Sequence, residues 1–524
     1  MKSLKLAYLF IICLLVCTSC KKFLDVQPES DVTKEQLFTT EEGFKEALNG
    51  VYTYCATRDL YGGNLTVSNL DIMAQNYTLT NLELQKIAAF KYTDQTLISK
   101  YDQIWAFGYK AIGNCNAILE VIDQRKGVFQ DKNYELIKGE ALTLRAYLHF
   151  DLLRMYAPSY KNNPVAPGIP YVTTVSIKST PFSTVSEVLD KAVADLLAAK
   201  ALLRTSDPIL SAAYIIGYPA KTYPDGTAEA KKATETKNPS LFLQNRRHRM
   251  NYYTACGELA RVYLYKNDLA NSLQNAKEVI DAKKFPWTAS TDFNNTNPEQ
   301  RDKIFYPELI SAWFVAQDKD QTDHFAALFT RNDALYTPSI TQKDLIYEKA
   351  TVGADDWRRT QWFIDVPSSN NTGKSLLQKY TTNSTPLRNL HPTVTPALRL
   401  SELYYIAAEA SFDSDPINAT ALVDTVRKHR GIGVPLSKTI TKAAFIDKLV
   451  DEARKEFYGE SQIFFMHKRL NKDVSTSTDL FILLRTAFLC RQFRSTNKLT
   501  EIKYRDDEKE YILCFNAGHL ADGL

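Results

Sequence analysis

The sequence predicts an all-α protein of stacked helix pairs, interrupted by long irregular loops. Three observations predict it. Apolar residues recur at helical spacing through most of the chain, two segments repeat small residues at identical offsets, and the polar stretches between helices are far longer than simple turns.

The first element is a leader. Lys2 and Lys5 precede Leu6–Val16, eleven residues without a charge, and then come Thr18, Ser19 and Cys20 before Lys21 and Lys22. A membrane-spanning helix needs about 20 apolar residues, so residues 1–19 read as a secretory signal peptide. The cysteine after two small residues resembles the bacterial lipoprotein box, with Cys17 where Leu or Val usually stands. Cys20 is therefore expected to be the mature, lipid-bearing terminus.

The helices follow. "YDQIWAFGYKAIGNCNAILEVID" aligns Ile104, Trp105, Ala111, Ile112, Cys115, Ile118, Leu119 and Ile122 on one stripe, and Trp105 is read as core. "YELIKGEALTLRAYLHFDLLRMY" does the same with Leu136, Ala141, Leu144, Leu148, Leu152 and Met155. "VSEVLDKAVADLLAAKALL" is next, then helices near 251–282, 397–411, 418–429 and 443–458. In one pair Ala260 is followed at +12, +16 and +19 by Ser272, Ala276 and Val279; in another Ala407 is followed at the same offsets by Ala419, Val423 and Val426. Tetratricopeptide-like pairs place small residues at these offsets, where two helices cross closely.

The loops are Ala157–Ser183, Leu210–Leu241, Pro286–Gln300 and an irregular region running to about Pro396. Their aromatic content points to ordered, ligand-binding loops. Within "SFDSDPIN" the acidic residues read as helix caps.

The totals bound the partners. The chain has 524 residues, 64 basic and 60 acidic, for a net charge of +4. Loss of Lys2 and Lys5 with the leader leaves 62 basic residues against 60 acidic, a net charge of +2. That balance gives no basic field for nucleic acid. The densest basic run, Arg246, Arg247 and Arg249 in "NRRHRM", reads as a solvated helix start. Apolar residues at 44% and charged residues at 24% are globular values that provide for a large core. Besides Cys20, the mature chain has Cys55, Cys115, Cys256, Cys490 and Cys514, an odd and unspaced set that argues for packed thiols rather than a disulfide framework or a zinc site.

Several segments in order resemble one family: "CKKFLDVQP", "LFTTEEGFKEALNGVYTYCATRDLYGGNL", "GEALTLRAYLHFDLLRMY", "ARVYLYKNDLANSLQNAKEVI", "DDWRRTQWF", "RLSELYYIAAEA" and "VDEARKEFYGESQIFFMHKRLN". Together they are similar to the SusD/RagB family of surface nutrient-binding lipoproteins of Bacteroidetes, from Cys20 to about Leu470. The resemblance implies a SusD-like fold of four tetratricopeptide-like helix pairs with an irregular ligand-contacting portion. It implies one domain over 20–524, with an N-terminal portion at about 20–230 and a C-terminal portion at about 250–480. It also implies an outer-membrane location facing the cell exterior, and a SusC-like TonB-dependent transporter as partner. Residues 481–524 depart from the family's proline-bearing close, since "DEKEYILCFNAGHLADGL" has no proline.

Sugar binding needs aromatic faces against the apolar faces of the rings. Tyr61 in "DLYGGNL", Tyr77 in "AQNYTL" and Tyr336 in "ALYTPS" lie in loop settings that favour exposure, and they are the candidate ligand contacts. Trp357 and Trp362 in "DDWRRTQWF" are read as scaffold. No catalytic, cofactor or metal residue is expected: there is no HExxH, GxSxG or Walker-type loop, "GIGVPL" lacks the third glycine of a dinucleotide motif, and the seven histidines form no i, i+4 pair. Two readings stay open. One is a lipoprotein that captures a glycan or other nutrient for a transporter; the other is a helical-repeat scaffold of an outer-membrane complex without its own small ligand.

Overall fold

Among the described residues, the helix stack is carried by α1 (Glu41–Cys55), α2 (Gln95–Ile122), α3 (Asn133–Tyr156), α4 (Val185–Ser206), α5 (Tyr252–Tyr265), α6 (Leu269–Asp281), α7 (Leu400–Ser411), α8 (Pro416–Lys428), α9 (Lys442–Glu456) and α10 (Ile463–Leu470), with shorter helices in the connections. The computed structural model describes residues 33–218, 233–298, 301–315, 319–368, 373–381 and 393–474, and the backbone of two strands at 502–506 and 509–513. The leader, Cys20, Cys490, Cys514 and most of the atypical C-terminus lie outside the described residues.

Local chemistry sets the helix starts. Thr40, Asp94, Asn251, Asp268 and Thr441 each accept a backbone N–H with the side chain at the first turn of α1, α2, α5, α6 and α9. Thr184 and Glu187 form a reciprocal capping box at α4. Asp415 caps α8 with Pro416 at its first position, as read from "SFDSDPIN". Each such cap contributes about 1 kcal/mol.

From α1 to α8 each helix packs on the one before it, while α9 packs on α7 and α10 on α9. The repeated small residues sit at the crossings. Ala260, Ser272, Ala276 and Val279 are buried between α5 and α6, where the Ser272 hydroxyl donates to the Ala260 carbonyl at 2.8 Å. Ala407, Ala419, Val423 and Val426 are buried in the same way between α7 and α8.

Helix α3 departs from the single apolar stripe. It is buried on every side from Gly139 to Met155, because α2, α4 and α5 enclose it. Its polar groups are therefore paired rather than solvated. Arg145 grips Asp195 through two bonds of 2.7 Å. His149 accepts from the Val172 amide at Nε2 (2.9 Å) and donates from Nδ1 to the Arg145 carbonyl (2.8 Å). That is the neutral tautomer, and burial pushes its pKa down to about 3. Trp105, read as core, sits at the margin instead: it is half-buried, its ring edge-on to Tyr156.

"NRRHRM" is not a solvated helix start. Arg246 and Arg247 are fully buried. Arg246 pairs with Glu140 and Asp207, Arg247 with Glu235, and Arg249 with Glu140. Carboxylates from α3 and from the loops on either side of the 219–232 segment draw these guanidiniums inward.

The strands are short antiparallel pairs: β1 (Pro167–Pro170) with β2 (Phe182–Thr184), β3 (Leu309–Phe314) with β6 (Val394–Arg399), β4 (Phe363–Val366) with β5 (Lys374–Leu377), and β7 (Ile502–Asp506) with β8 (Lys509–Leu513). A buried ionic network fastens this irregular region to the end of α9. The Glu456 carboxylate accepts from Arg358, Arg399 and Arg430, which also pair with Asp356, Glu460 and Glu308 respectively. Trp362 is buried as scaffold, its indole donating to the Lys303 carbonyl at 2.7 Å, whereas Trp357 is partly covered. Cys55, Cys115 and Cys256 are buried free thiols.

Candidate functional site

The three loop tyrosines chosen from sequence are interior residues. Tyr61, Tyr77 and Tyr336 are 3%, 6% and 4% exposed, so the expectation of open stacking faces is corrected. Tyr61 lies flat on Trp313 with ring centroids 4.3 Å apart, and its hydroxyl donates to Asp151 Oδ2 at 2.8 Å. Tyr77 and Tyr336 stack on each other at 5.3 Å, and the Tyr77 hydroxyl donates to Asp71 Oδ2 at 2.9 Å. Burial pushes the Asp71 carboxyl up to about 7. The structure thus brings Tyr77 and Tyr336 together and leaves Tyr61 in a separate aromatic group with Trp313 and Tyr147. Gly62 and Gly63, read as signs of an open loop, instead let the backbone coil closely: an added Cβ would meet the Ala56 and Arg58 carbonyl oxygens at 2.1 and 2.4 Å.

A concave surface forms elsewhere, where α3, α5, α7, α9 and α10 converge. It has a narrow inner pocket of about 80 Å³ and an outer cleft of about 630 Å³. The two share Leu264, Tyr265, Glu409 and Arg469 in their walls. Stacking order creates this space. Helix α5 lies close against the end of β6 and the start of α7: a Cβ on Gly257 would meet Leu398 Cδ2 at 2.3 Å and Leu403 Cδ1 at 3.6 Å. Helices α9 and α10 then fold back over the far end of the stack.

The inner pocket is aromatic with buried charge. Arg154 lies over the Phe465 ring at 3.9 Å and the Phe150 ring at 4.8 Å, and it pairs with Asp151. Arg261 forks onto Glu402 with bonds of 2.7 and 2.8 Å and also reaches Glu258 at 2.8 Å. Burial still pushes the Glu258 carboxyl up to about 7. The hydroxyls of Tyr265 and Tyr405, both in the wall, have no hydrogen-bond partner among the described residues. Burial raises both phenols, so each stays a neutral O–H.

Between pocket and cleft stands a bidentate pair, Arg469 to Glu409, at 2.6 and 2.7 Å. The outer cleft has an apolar floor of Leu264, Tyr265, Leu269 and Ile446, a wall at Tyr160, and a rim that includes Lys161, Lys442, Asp447 and Lys472. Aromatic and aliphatic surface beside exchangeable polar groups suits an amphipathic, hydroxyl-bearing ligand. Among the described residues no group of three His, Cys, Asp or Glu side chains is placed to hold a metal ion. No described helix is long and apolar enough to cross a membrane.

Sequence reasoning missed Tyr160 and the lysines. Tyr265 follows the core spacing of α5 and is packing, 3% exposed with its ring edge-on to Phe150. The available signal was "SYKNNP" shortly after α3, which sets Tyr160 and Lys161 side by side in a polar run.

Comparison with known proteins places this architecture. Residues 22–212 match a family profile described as starch-binding and associating with the outer membrane, and residues 223–506 match the profile of the SusD family. SusD-like protein P38 of Formosa agariphila is 23% identical over 500 residues, covering 90% of this chain and 92% of that protein. Among solved structures, a SusD-like carbohydrate binding protein from Bacteroides vulgatus superposes with a TM-score of 0.63 at 18% identity, covering 91% of this chain and 90% of the other. A SusD superfamily protein from Bacteroides thetaiotaomicron superposes at 0.61 and 20% identity, covering 84% and 92%. With its helix stack, its irregular strand-bearing region and a profile match over more than half its length, this chain belongs to the SusD family.

Proposed function

We propose that this protein is an outer-membrane lipoprotein that captures a glycan or a related nutrient outside the cell and passes it to a SusC-like TonB-dependent transporter. The observation that carries this reading is the family match in both halves of the chain, one of them to a profile described as starch-binding. The amphipathic cleft between α5, α7, α9 and α10 supports it by offering a place for a saccharide. Acylation of Cys20 supplies the anchor. Each buried lipid CH₂ contributes about 0.8 kcal/mol, and more than one chain is needed for stable attachment. The protein binds and does not catalyse.

The test is affinity electrophoresis and calorimetry of the mature chain lacking its Cys20 anchor, against a panel of polysaccharides and peptides, with copurification of the transporter from membranes. Binding of one ligand class together with transporter copurification supports capture and delivery. Transporter copurification with no ligand bound across the panel supports the scaffold reading instead. The interior position of Tyr61, Tyr77 and Tyr336 is the observation that keeps that second reading in play.

A further inference from the structure

The charge around the outer cleft is uneven. Its wall and rim carry Lys161, Lys442, Arg469 and Lys472 against Glu409 and Asp447, a surplus of two positive charges, although the whole chain is near balance. The Arg469 fork is occupied by Glu409 and cannot turn toward a ligand without breaking two bonds. The lysines differ. Lys161 is exposed and donates only to the Leu470 carbonyl, at 3.2 Å, with no carboxylate partner among the described residues. Lys442 pairs with Asp413, which is 58% exposed, and Lys472 pairs with Asp447, also 58% exposed. Surface pairs of this kind contribute about 0–1 kcal/mol, so an incoming anion can displace them. Three ammonium groups from separate elements, the loop after α3, the start of α9 and the chain after α10, thus ring one apolar floor. A concave, partly apolar wall also raises the potential such charges produce.

We infer that this cleft selects acidic oligosaccharides, with the half-buried Tyr160 against a sugar face and Lys161, Lys442 and Lys472 meeting the anionic groups. The inference rests on the proposed glycan capture and specifies its ligand. An ammonium group is a point charge that does not demand the planar match of a guanidinium fork. A uronic-acid carboxylate and a sulfate ester therefore share the required chemistry, and the experiment separates them.

The mature chain without its Cys20 anchor is titrated by calorimetry with three probes of matched length: an oligouronide, a sulfated oligosaccharide and a neutral oligosaccharide. Each titration is run at about 50 and about 500 mM salt, a range over which screening shortens from over 10 Å to under 5 Å. Binding of either acidic probe at least tenfold tighter than the neutral one is expected, and it weakens in high salt. The probe that binds more tightly identifies carboxylate or sulfate as the group read. Lys161→Ala, Lys442→Ala and Lys472→Ala each weaken acidic-probe binding threefold or more, and the double variant Lys161→Glu with Lys472→Glu abolishes it. These rim residues lie outside the core, and unchanged circular dichroism verifies the fold. Neutral-probe binding as tight as acidic-probe binding and indifferent to these variants overturns the inference while leaving glycan capture intact. Binding of none of the three probes overturns the inference, while capture itself falls only when the whole panel of polysaccharides and peptides also fails to bind.

Discussion

The Glu456→Gln substitution tests the ionic network that ties the irregular region to the helix stack. The Glu456 carboxylate accepts four N–H bonds: one from Arg358 at 2.9 Å, one from Arg399 at 2.5 Å, and two from Arg430 at 2.9 and 2.7 Å. Glutamine keeps the volume but removes the charge, and it turns an NH₂ donor toward guanidinium donors. Breaking a buried ion pair from one side costs about 3–5 kcal/mol. Here each arginine keeps a second carboxylate, Asp356, Glu460 or Glu308, and Arg399 still reaches the residue-456 carbonyl at 2.7 Å. The loss therefore falls at the lower end, about 3 kcal/mol.

Urea unfolding at pH 7, followed by circular dichroism, should show the midpoint fall with little change in slope. The guanidiniums hold the Glu456 carboxyl well below its usual value. Its contribution is complete above the unfolded-state pKa of about 4.3 and is lost as pH falls below that toward the folded value. The gap between wild type and variant should therefore narrow in acid. A loss under about 1 kcal/mol at pH 7, or a gap that widens in acid, would refute the reasoning.

Asp71→Asn has the opposite pH signature. The Asp71 carboxyl is pushed up to about 7 by burial, so ionising it costs stability as pH rises from about 4 through the folded value. Urea midpoints should show the variant gaining on wild type between pH 4 and 8; parallel curves would count against that. Gly257→Ala forces a methyl against Leu398 Cδ2 and should cost about 1–3 kcal/mol in the same assay, with a neutral result refuting the close approach of α5 to the chain entering α7. Cys55, Cys115 and Cys256 are buried, and burial raises each thiol's pKa. In single-cysteine variants each should resist a thiol reagent at pH 8 until denaturant is added; fast native labelling would contradict the packing. Tyr160→Ala should weaken saccharide binding tenfold or more, while Tyr77→Ala should chiefly lower the urea midpoint.

What was legible from sequence is what a helix decides for itself. The stripe of α2 buries Ile104, Ala111, Ile112, Cys115, Ile118 and Ile122, as the 3.6-residue period requires, and leaves Trp105 and Leu119 partly covered at its edge. The small residues at +12, +16 and +19 lie at real crossings, because side-chain size limits how closely two axes approach. Capping residues mark the helix starts because the orphan N–H groups are satisfied within a few residues.

The site was not legible, because its geometry depends on partners far along the chain. Tyr61 is interior since Asp151 and Trp313 meet it, and Tyr77 since Tyr336 and Asp71 do. The basic run at 246–249 is drawn inward by Glu140, Asp207 and Glu235. Nothing local distinguishes those residues from solvated ones, since a polar side chain is stable in either setting once its hydrogen bonds are satisfied. The cleft likewise exists only because α9 and α10 return over the ends of α5 and α7 and bring lysines from three separate segments to one rim. By itself the sequence determined the helices, their pairing and the family. Which polar and aromatic groups face water was decided only by the tertiary structure, because burial of a polar group depends on the partner that meets it.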